Sequence, residues 1–234
     1  MKISVITATY NAVQHLPVLI DSLQKQTDKD FEWVVADGMS TDGTLKMLAD
    51  IKGIDLNITI QSDFGIYDAL NRGIKLSKGE FYLVMGADDY LYPDAIENFK
   101  KEVCTEVDVI AACLDIGGQV IKPGRGKPWL HGLSAFVAGH SAATLIRKKL
   151  HDKYGYYSNK FPIAADQYFL KIIFKNGVVL KKTEFVSGRF GLDGVSKLDL
   201  VGTLTEFFRV QLLTERYKFP QYIIYLLRLI KNYK

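Results

Sequence analysis

The chain has 234 residues, 48% apolar and 24% charged, with a mean hydropathy of +0.03. That length supports one substantial core, and that hydropathy excludes a polytopic membrane protein. The net charge is +4, but residues 1–200 hold 24 basic and 24 acidic side chains while residues 201–234 hold six and two; a body so balanced lacks the basic face of a nucleic-acid-binding domain.

Residues 1–7 run into a short apolar stretch that meets Tyr10 and Asn11. This is too short and too polar for a signal-peptide core, so a first strand and a cytoplasmic chain are expected. Cys104 and Cys113 have no His/Cys cluster around them and read as reduced thiols. No run reaches the ~18 apolar residues that span a bilayer.

The first hundred residues alternate strand-like and helix-like patterns, as in a parallel sheet flanked by helices. Strands are predicted at 3–9, 32–36, 57–61 and 81–85, and helices at 16–23, 44–51 and 66–76. The third helix carries the stripe Ile66, Ala69, Leu70, Ile74, with Asp68 and Arg72 read as a surface pair one turn apart. Beyond residue 100 strands are predicted at 107–114, 142–146 and 178–182, a turn at Gly117 and Gly118, and a helix at 165–174. Residues 122–129 read as a cationic flap or a solvated loop, and the Gly-rich residues 188–196 as a segment closing over a ligand. One α/β domain is expected over residues 1–200, followed by a basic helical tail at 201–234 that Pro220 divides.

Ligands of an open α/β sheet bind beyond the carboxyl ends of its strands. Here those ends carry Ala8, Thr9, Tyr10 and Asn11, then Asp37 to Thr44, then Ser62 to Gly65, then Ala87, Asp88 and Asp89. Crowded carboxylates raise one another's pKa, and a divalent cation relieves them. Asp88 and Asp89 suit Mg²⁺ or Mn²⁺ beside a diphosphate, or else they form a turn and cap the next helix. Neither Gly-rich phosphate loop is present. Tyr10 could stack on a base and Asp37 accept from one; a rim residue and a turn former are the plainer readings.

Taken together, Val-Ile-Thr-Ala-Thr-Tyr-Asn at 5–11, Glu-Trp-Val-Val-Ala-Asp-Gly at 32–38 with Ser-Thr-Asp-Gly-Thr at 40–44, Ser-Asp-Phe-Gly-Ile-Tyr-Asp-Ala at 62–69 with Asn71 and Gly73, and Gly-Ala-Asp-Asp at 86–89 resemble the successive blocks of family 2 glycosyltransferases. Fainter segments at 139–142 and 164–170 resemble that family's acceptor side. The resemblance implies a GT-A fold, with residues 1–100 binding the nucleotide sugar and 101–200 facing the acceptor. It implies inverting, Mn²⁺- or Mg²⁺-dependent transfer from a nucleotide-diphospho-sugar, usually a UDP-sugar. Position by position, Ala8, Thr9, Tyr10, Asp37 and Asp63 would hold the nucleoside, Asn71 would support the donor side, Asp88 would approach the ribose or sugar, and Asp89 would ligate the metal.

Inversion needs one general base opposite the leaving group. Asp166, at the start of a helix, is assigned that role, with helix capping as the rival. His140 reaches the metal or diphosphate, or is a structural histidine. The tail, from Leu204 to Ile230, interleaves apolar and cationic residues. It could lie on an anionic membrane, or pack on the domain or on a second copy of the chain as a homodimer. The Gln-x-x-Arg-Trp motif of processive synthases is absent, which favours addition of single sugars to a glycan or polyprenyl-diphosphate-linked acceptor at the inner face of the cell membrane. A catalytically inactive GT-A module acting as a membrane adaptor is the alternative from another class.

Overall fold

A computed structural model describes residues 2–124, 126–191 and 199–232. The first half alternates strand and helix as the sequence pattern predicts. In chain order it holds β1 (Ile3–Thr9), α1 (Leu16–Gln24), β2 (Phe31–Asp37), α2 (Thr44–Ala49), β3 (Asp55–Ile60), α3 (Ile66–Leu76) and β4 (Phe81–Val84). The second half follows with β5 (Tyr90–Leu91), α4 (Ala95–Glu102), β6 (Val109–Ile116), β7 (Gln119–Ile121), α5 (Pro128–His131), β8 (Thr144–Arg147), α6 (Leu150–Tyr154), α7 (Ala165–Lys175), β9 (Leu180–Arg189), α8 (Leu200–Thr214) and α9 (Phe219–Asn232).

One mixed sheet runs β3-β2-β1-β4-β8-β6-β9-β5, with β7 hairpinned onto β6. The first four strands are parallel; β8 then runs antiparallel to both β4 and β6, and β9 runs parallel to β6. Every residue of β2 is buried, as expected of a parallel strand covered on both faces. Alternate side chains divide between two cores. Ile3, Val5, Leu16, Leu19, Trp33 and Phe99 lie in one, and Ile6, Val34, Leu70, Ile74, Phe169 and Val210 in the other. The Trp33 indole donates to the Thr7 hydroxyl at 3.0 Å, which satisfies its polar edge inside the core. Gly73 lets α3 lie close on β1, since a Cβ there would stand 2.7 Å from Ile6 Cγ2.

Several expectations need correction. Arg72 does not pair with Asp68; its Nη2 turns inward to the Asp37 carbonyl at 2.9 Å and lies 3.8 Å from Asp63 Oδ2. Of the segment read as a flap, residue 125 lies outside the described residues; Lys122 pairs with Glu184, Lys182 donates to the Gly124 carbonyl, and a Cβ on Gly124 would overlap the Ser134 carbonyl oxygen. Of the Gly-rich segment, Gly188 and Arg189 belong to β9, while residues 192–196 lie outside the described residues. The boundary expected near residue 200 does not separate two cores, because α8 buries Val210 in the second core and Glu206 accepts from the backbone N–H groups of Ile163 and Ala164. Glu206 thereby caps the helix that carries Asp166.

Candidate active site

The carboxyl ends of β1 to β4 form one edge. The β1 and β2 loops are stitched together by side chain to backbone bonds. Asn11 N donates to Ser40 Oγ, Thr41 N to Asn11 Oδ1, Ala12 N to Thr44 Oγ1 and Val13 N to Asp42 Oδ2, all within 3.0 Å. Asn11 and Met39 take positive φ angles of 50° and 66° to make these turns. The Ser-Thr-Asp-Gly-Thr block therefore braces the edge.

Asp37 is fully buried. Its Oδ2 accepts from Thr9 Oγ1 and Ser40 Oγ, both at 2.7 Å, and its Oδ1 from Ser40 N at 2.7 Å. Thr9 is likewise buried and Ala8 half-buried, whereas the Tyr10 ring stands out in solvent. Tyr10 and Asp63 meet over Gly38, where an added Cβ would lie 2.8 Å from Asp63 Oδ2 and 3.3 Å from Tyr10 Cδ2. Gly38 thus leaves room for the Asp63 carboxylate and the exposed Tyr10 ring to close on the end of β2. Asn71 faces elsewhere: its amide donates to the Tyr157 carbonyl at 2.8 Å and accepts from Tyr157 N at 2.9 Å. With both ends so engaged it clamps α3 to the backbone of Tyr157.

At the end of β4, Asp88 and Asp89 fold back on one point. A Cβ on Gly86 would stand 3.0 Å from Asp88 Oδ1 and 3.1 Å from Asp89 Oδ2. Asp89 is fully buried, and its two oxygens accept from Gly86 N at 2.7 Å and Gly191 N at 2.8 Å. Burial raises its pKa, and the Asp88 charge adds to the rise. Helix capping is excluded, because α4 starts at Ala95 with Asp94 before it. Hard oxygens converging in a desolvated site fit a divalent cation, with lone pairs left on each Asp89 oxygen. Among the described residues no group of three His, Cys, Asp or Glu side chains gathers to hold a metal ion; His140 precedes the 3₁₀ turn Ser141–Ala143. Its Nδ1 accepts from Ala142 N at 3.3 Å and its ring lies 4.1 Å from that of Phe190.

Asp166 sits in the first turn of α7, half-buried. Its Oδ1 accepts from the Tyr67 hydroxyl at 2.7 Å and from Gln167 N at 2.8 Å. Burial raises its pKa, opposed by the Tyr67 bond and by the charge of His140. The charge of His140 opposes the rise at Asp89 as well. Sequence reasoning passed over Tyr67, Gly38 and Arg72. Tyr67 and Gly38 stand within the quoted blocks, whereas the direction of Arg72 leaves no sequence signal.

The model of Glycosyl transferase family 2 matches residues 4–174. The chain belongs to that family. A PGL/p-HBAD biosynthesis glycosyltransferase of Mycobacterium bovis is 46% identical over 92 residues, covering 38% of this chain and 36% of the relative. The match therefore spans little more than a third of that relative's length. Among solved structures, TarS 1–349 of S. aureus superposes with a TM-score of 0.71 at 20% identity, covering 99% of this chain and 72% of TarS. The mannosyltransferase PcManGT of Pyrobaculum calidifontis, solved with GDP-Man and Mn²⁺, gives 0.69 at 17% identity over 98% of this chain and 70% of its own. At these identities the structural likeness establishes the GT-A-like fold alone.

Proposed function

We propose that the protein is an inverting glycosyltransferase that moves one sugar from a nucleotide-diphospho-sugar, a UDP-sugar, to a glycan acceptor carried on a lipid. The observations that carry this reading are the Asp166 carboxylate held by the Tyr67 hydroxyl, which supports a general base, and the Asp88 and Asp89 carboxylates gathered at Gly86, which support a donor diphosphate with its cation. Structures of TarS in complex with UDP-GlcNAc and of PcManGT with GDP-Man and Mn²⁺ support the donor class and the cation.

Tyr10 and Asp63, drawn together at Gly38, receive the nucleoside, with Asp37 bracing the loops beneath it. Asp89, beside Asp88, would hold Mn²⁺ or Mg²⁺, which when bound would supply Lewis-acid stabilisation of the departing diphosphate. Asp166 takes the proton of the acceptor hydroxyl as its oxygen bonds to the anomeric carbon. The bond from that carbon to the diphosphate breaks, and its electron pair stays on the diphosphate oxygen. The Tyr67 bond occupies Oδ1 and orients the carboxylate for this transfer.

Membrane contact through residues 204–234 is part of the reading. Tyr222, Ile223, Leu226, Leu227 and Ile230 are exposed along α9, with Arg216, Lys218 and Lys231 also exposed nearby. An apolar stripe with cationic edges suits an anionic bilayer surface.

Calorimetry with UDP tests the donor assignment: affinity rises with Mn²⁺, and Asp89→Ala removes that gain while weak metal-free binding persists. Equal affinity with and without the metal in the unaltered protein would sink the assignment.

A further inference from the structure

A cavity of about 350 Å³ lies between α5, the 3₁₀ turn Gly132–Ala135, α7, α8 and α9. None of Tyr10, Asp37, Asp63, Asp88 or Asp89 lines it. Gln167 and Lys171, one turn apart on α7, form one wall, and Gln167 directly follows Asp166. Phe207 and Val210 of α8 give an apolar floor, and Arg228 and Lys231, one turn apart on α9, close the far side.

The charges of this cavity are unequally satisfied. Lys171 is buried and pairs with Glu215 and the Gln211 amide. Glu206, the other acid of α8 and α9, is bonded to Ile163 N and Ala164 N. Arg228 is half-buried, its Nη2 donates to the Leu130 carbonyl at 3.0 Å, and burial alone pushes its pKa down. Among the described residues no carboxylate lies within ion-pair distance of it. A partly desolvated guanidinium facing a cavity without an acid is costly unless an anion joins it, and phosphate oxygens match its fork of donors.

We propose that this cavity is an anion subsite for the sugar acceptor, in which Arg228, assisted by Lys231, holds a phosphate group while the acceptor hydroxyl lies toward Asp166. The inference rests on the glycosyl-transfer reading and deepens it: the acceptor is phosphorylated, and α9 completes its site. The phosphate belongs either to a lipid carrier, whose first apolar units would follow the Phe207 and Val210 floor, or to the glycan itself.

The test uses the full chain saturated with UDP and Mn²⁺, so that the donor end is filled, titrated calorimetrically with geranyl phosphate, inorganic phosphate and geraniol. Geranyl phosphate binds and geraniol does not. Arg228→Gln weakens the phosphate ligand about tenfold or more, the scale of a lost hydrogen bond to a charged group, and Arg228→Lys recovers part of it, with UDP affinity and thermal midpoint unchanged in both. Geranyl phosphate tighter than inorganic phosphate assigns the group to a lipid carrier, and equal affinities assign it to a phosphorylated glycan. No binding, or equal binding by Arg228→Gln, overturns the subsite. If the unaltered chain binds geranyl phosphate through Arg228 yet fails to bind UDP, the anion site stands and the transfer reading falls.

Discussion

The Tyr67 hydroxyl donates to Asp166 Oδ1 across 2.7 Å and so ties α3 to the first turn of α7, 99 residues further along the chain. The same hydroxyl lies 2.8 Å from the Ile163 carbonyl. Its ring packs edge-on against Tyr157 at 5.4 Å, which itself bonds the Tyr82 hydroxyl at 3.0 Å. The carboxylate read as the general base is thus oriented from a helix that begins at the donor end.

Replacing Asp166 by Asn removes the proton acceptor while keeping its shape. Turnover should fall about 10²- to 10⁴-fold, the usual contribution of a general base, with UDP affinity within twofold of the unaltered enzyme. Single-turnover transfer measured beside UDP calorimetry separates these effects; an active variant would place the base elsewhere.

Tyr67→Phe should act through Asp166. The lost bond favoured the carboxylate, so its removal raises the Asp166 pKa further and moves the acid limb of the kcat profile to higher pH. The opposing groups that remain are His140 and Gln167 N, and burial dominates. At neutral pH kcat drops about tenfold, the worth of one charge-assisted bond, and part of the loss returns under alkaline conditions. A loss uniform across pH would mean that Tyr67 supports only the fold.

Gly38→Ala should weaken UDP about tenfold without unfolding the protein. Its Cβ would stand 2.8 Å from Asp63 Oδ2, so Asp63 or Tyr10 must shift. Overpacking of this kind typically costs about 1–3 kcal/mol. Calorimetry and a thermal melt decide it: unchanged affinity would remove the nucleoside from this place.

These residues show why the donor edge was legible in sequence and other parts were not. The apolar stripe of Ile66, Ala69, Leu70 and Ile74 predicts a helix at the bounds observed, Ile66–Leu76, because burial of Ala69, Leu70 and Ile74 follows local periodicity, although Ile66 itself stays exposed and Tyr67 is buried in its place. Arg72, on the same helix, chooses between Asp68 and the Asp37 carbonyl by what lies across the fold, and no local pattern encodes that. The two-residue β5 exists only through its pairing with Arg189 and Gly188. Asn71 matched a motif position, yet its amide serves a backbone segment 86 residues away. In the tail, helix length and the break near Pro220 were readable, but the docking of α8 under α7 depends on Glu206 meeting free N–H groups that sequence alone does not locate.

Acid should destabilise the protein through His151. Its Nδ1–H donates to the Gly155 carbonyl at 2.9 Å, so Nε2 accepts from the Tyr82 hydroxyl at 2.7 Å, a tautomer assigned from the network. Burial lowers its pKa to about 4 from the ordinary 6.5. Between those values the unfolded chain binds a proton that the folded one refuses, so stability rises with pH across the window and is lost as pH falls through it. The loss approaches about 3 kcal/mol on full descent. Urea midpoints from pH 7.5 to 4.5 should decline more steeply for the unaltered protein than for His151→Gln, and parallel declines would assign the acid sensitivity to other groups.

The exposed face of α9 makes the membrane part of the reading testable without truncation. The helix is anchored by buried Gln221, which donates to the Trp129 carbonyl at 2.8 Å, and by rings of Tyr222 and Tyr225 against Phe208. Leu226 and Ile230, 58% and 69% exposed, contribute little to that packing. Their replacement by Glu should therefore leave the melting temperature unchanged. It should lower binding to vesicles of anionic lipid about tenfold or more, since each apolar side chain moved out of water is worth about 1.5–3 kcal/mol and the new charges repel the surface. Binding of the unaltered protein should also weaken at high salt, where the cationic edges are screened. Flotation of both proteins with anionic and neutral vesicles distinguishes the cases: equal partition of variant and unaltered chain would show that this face meets no bilayer.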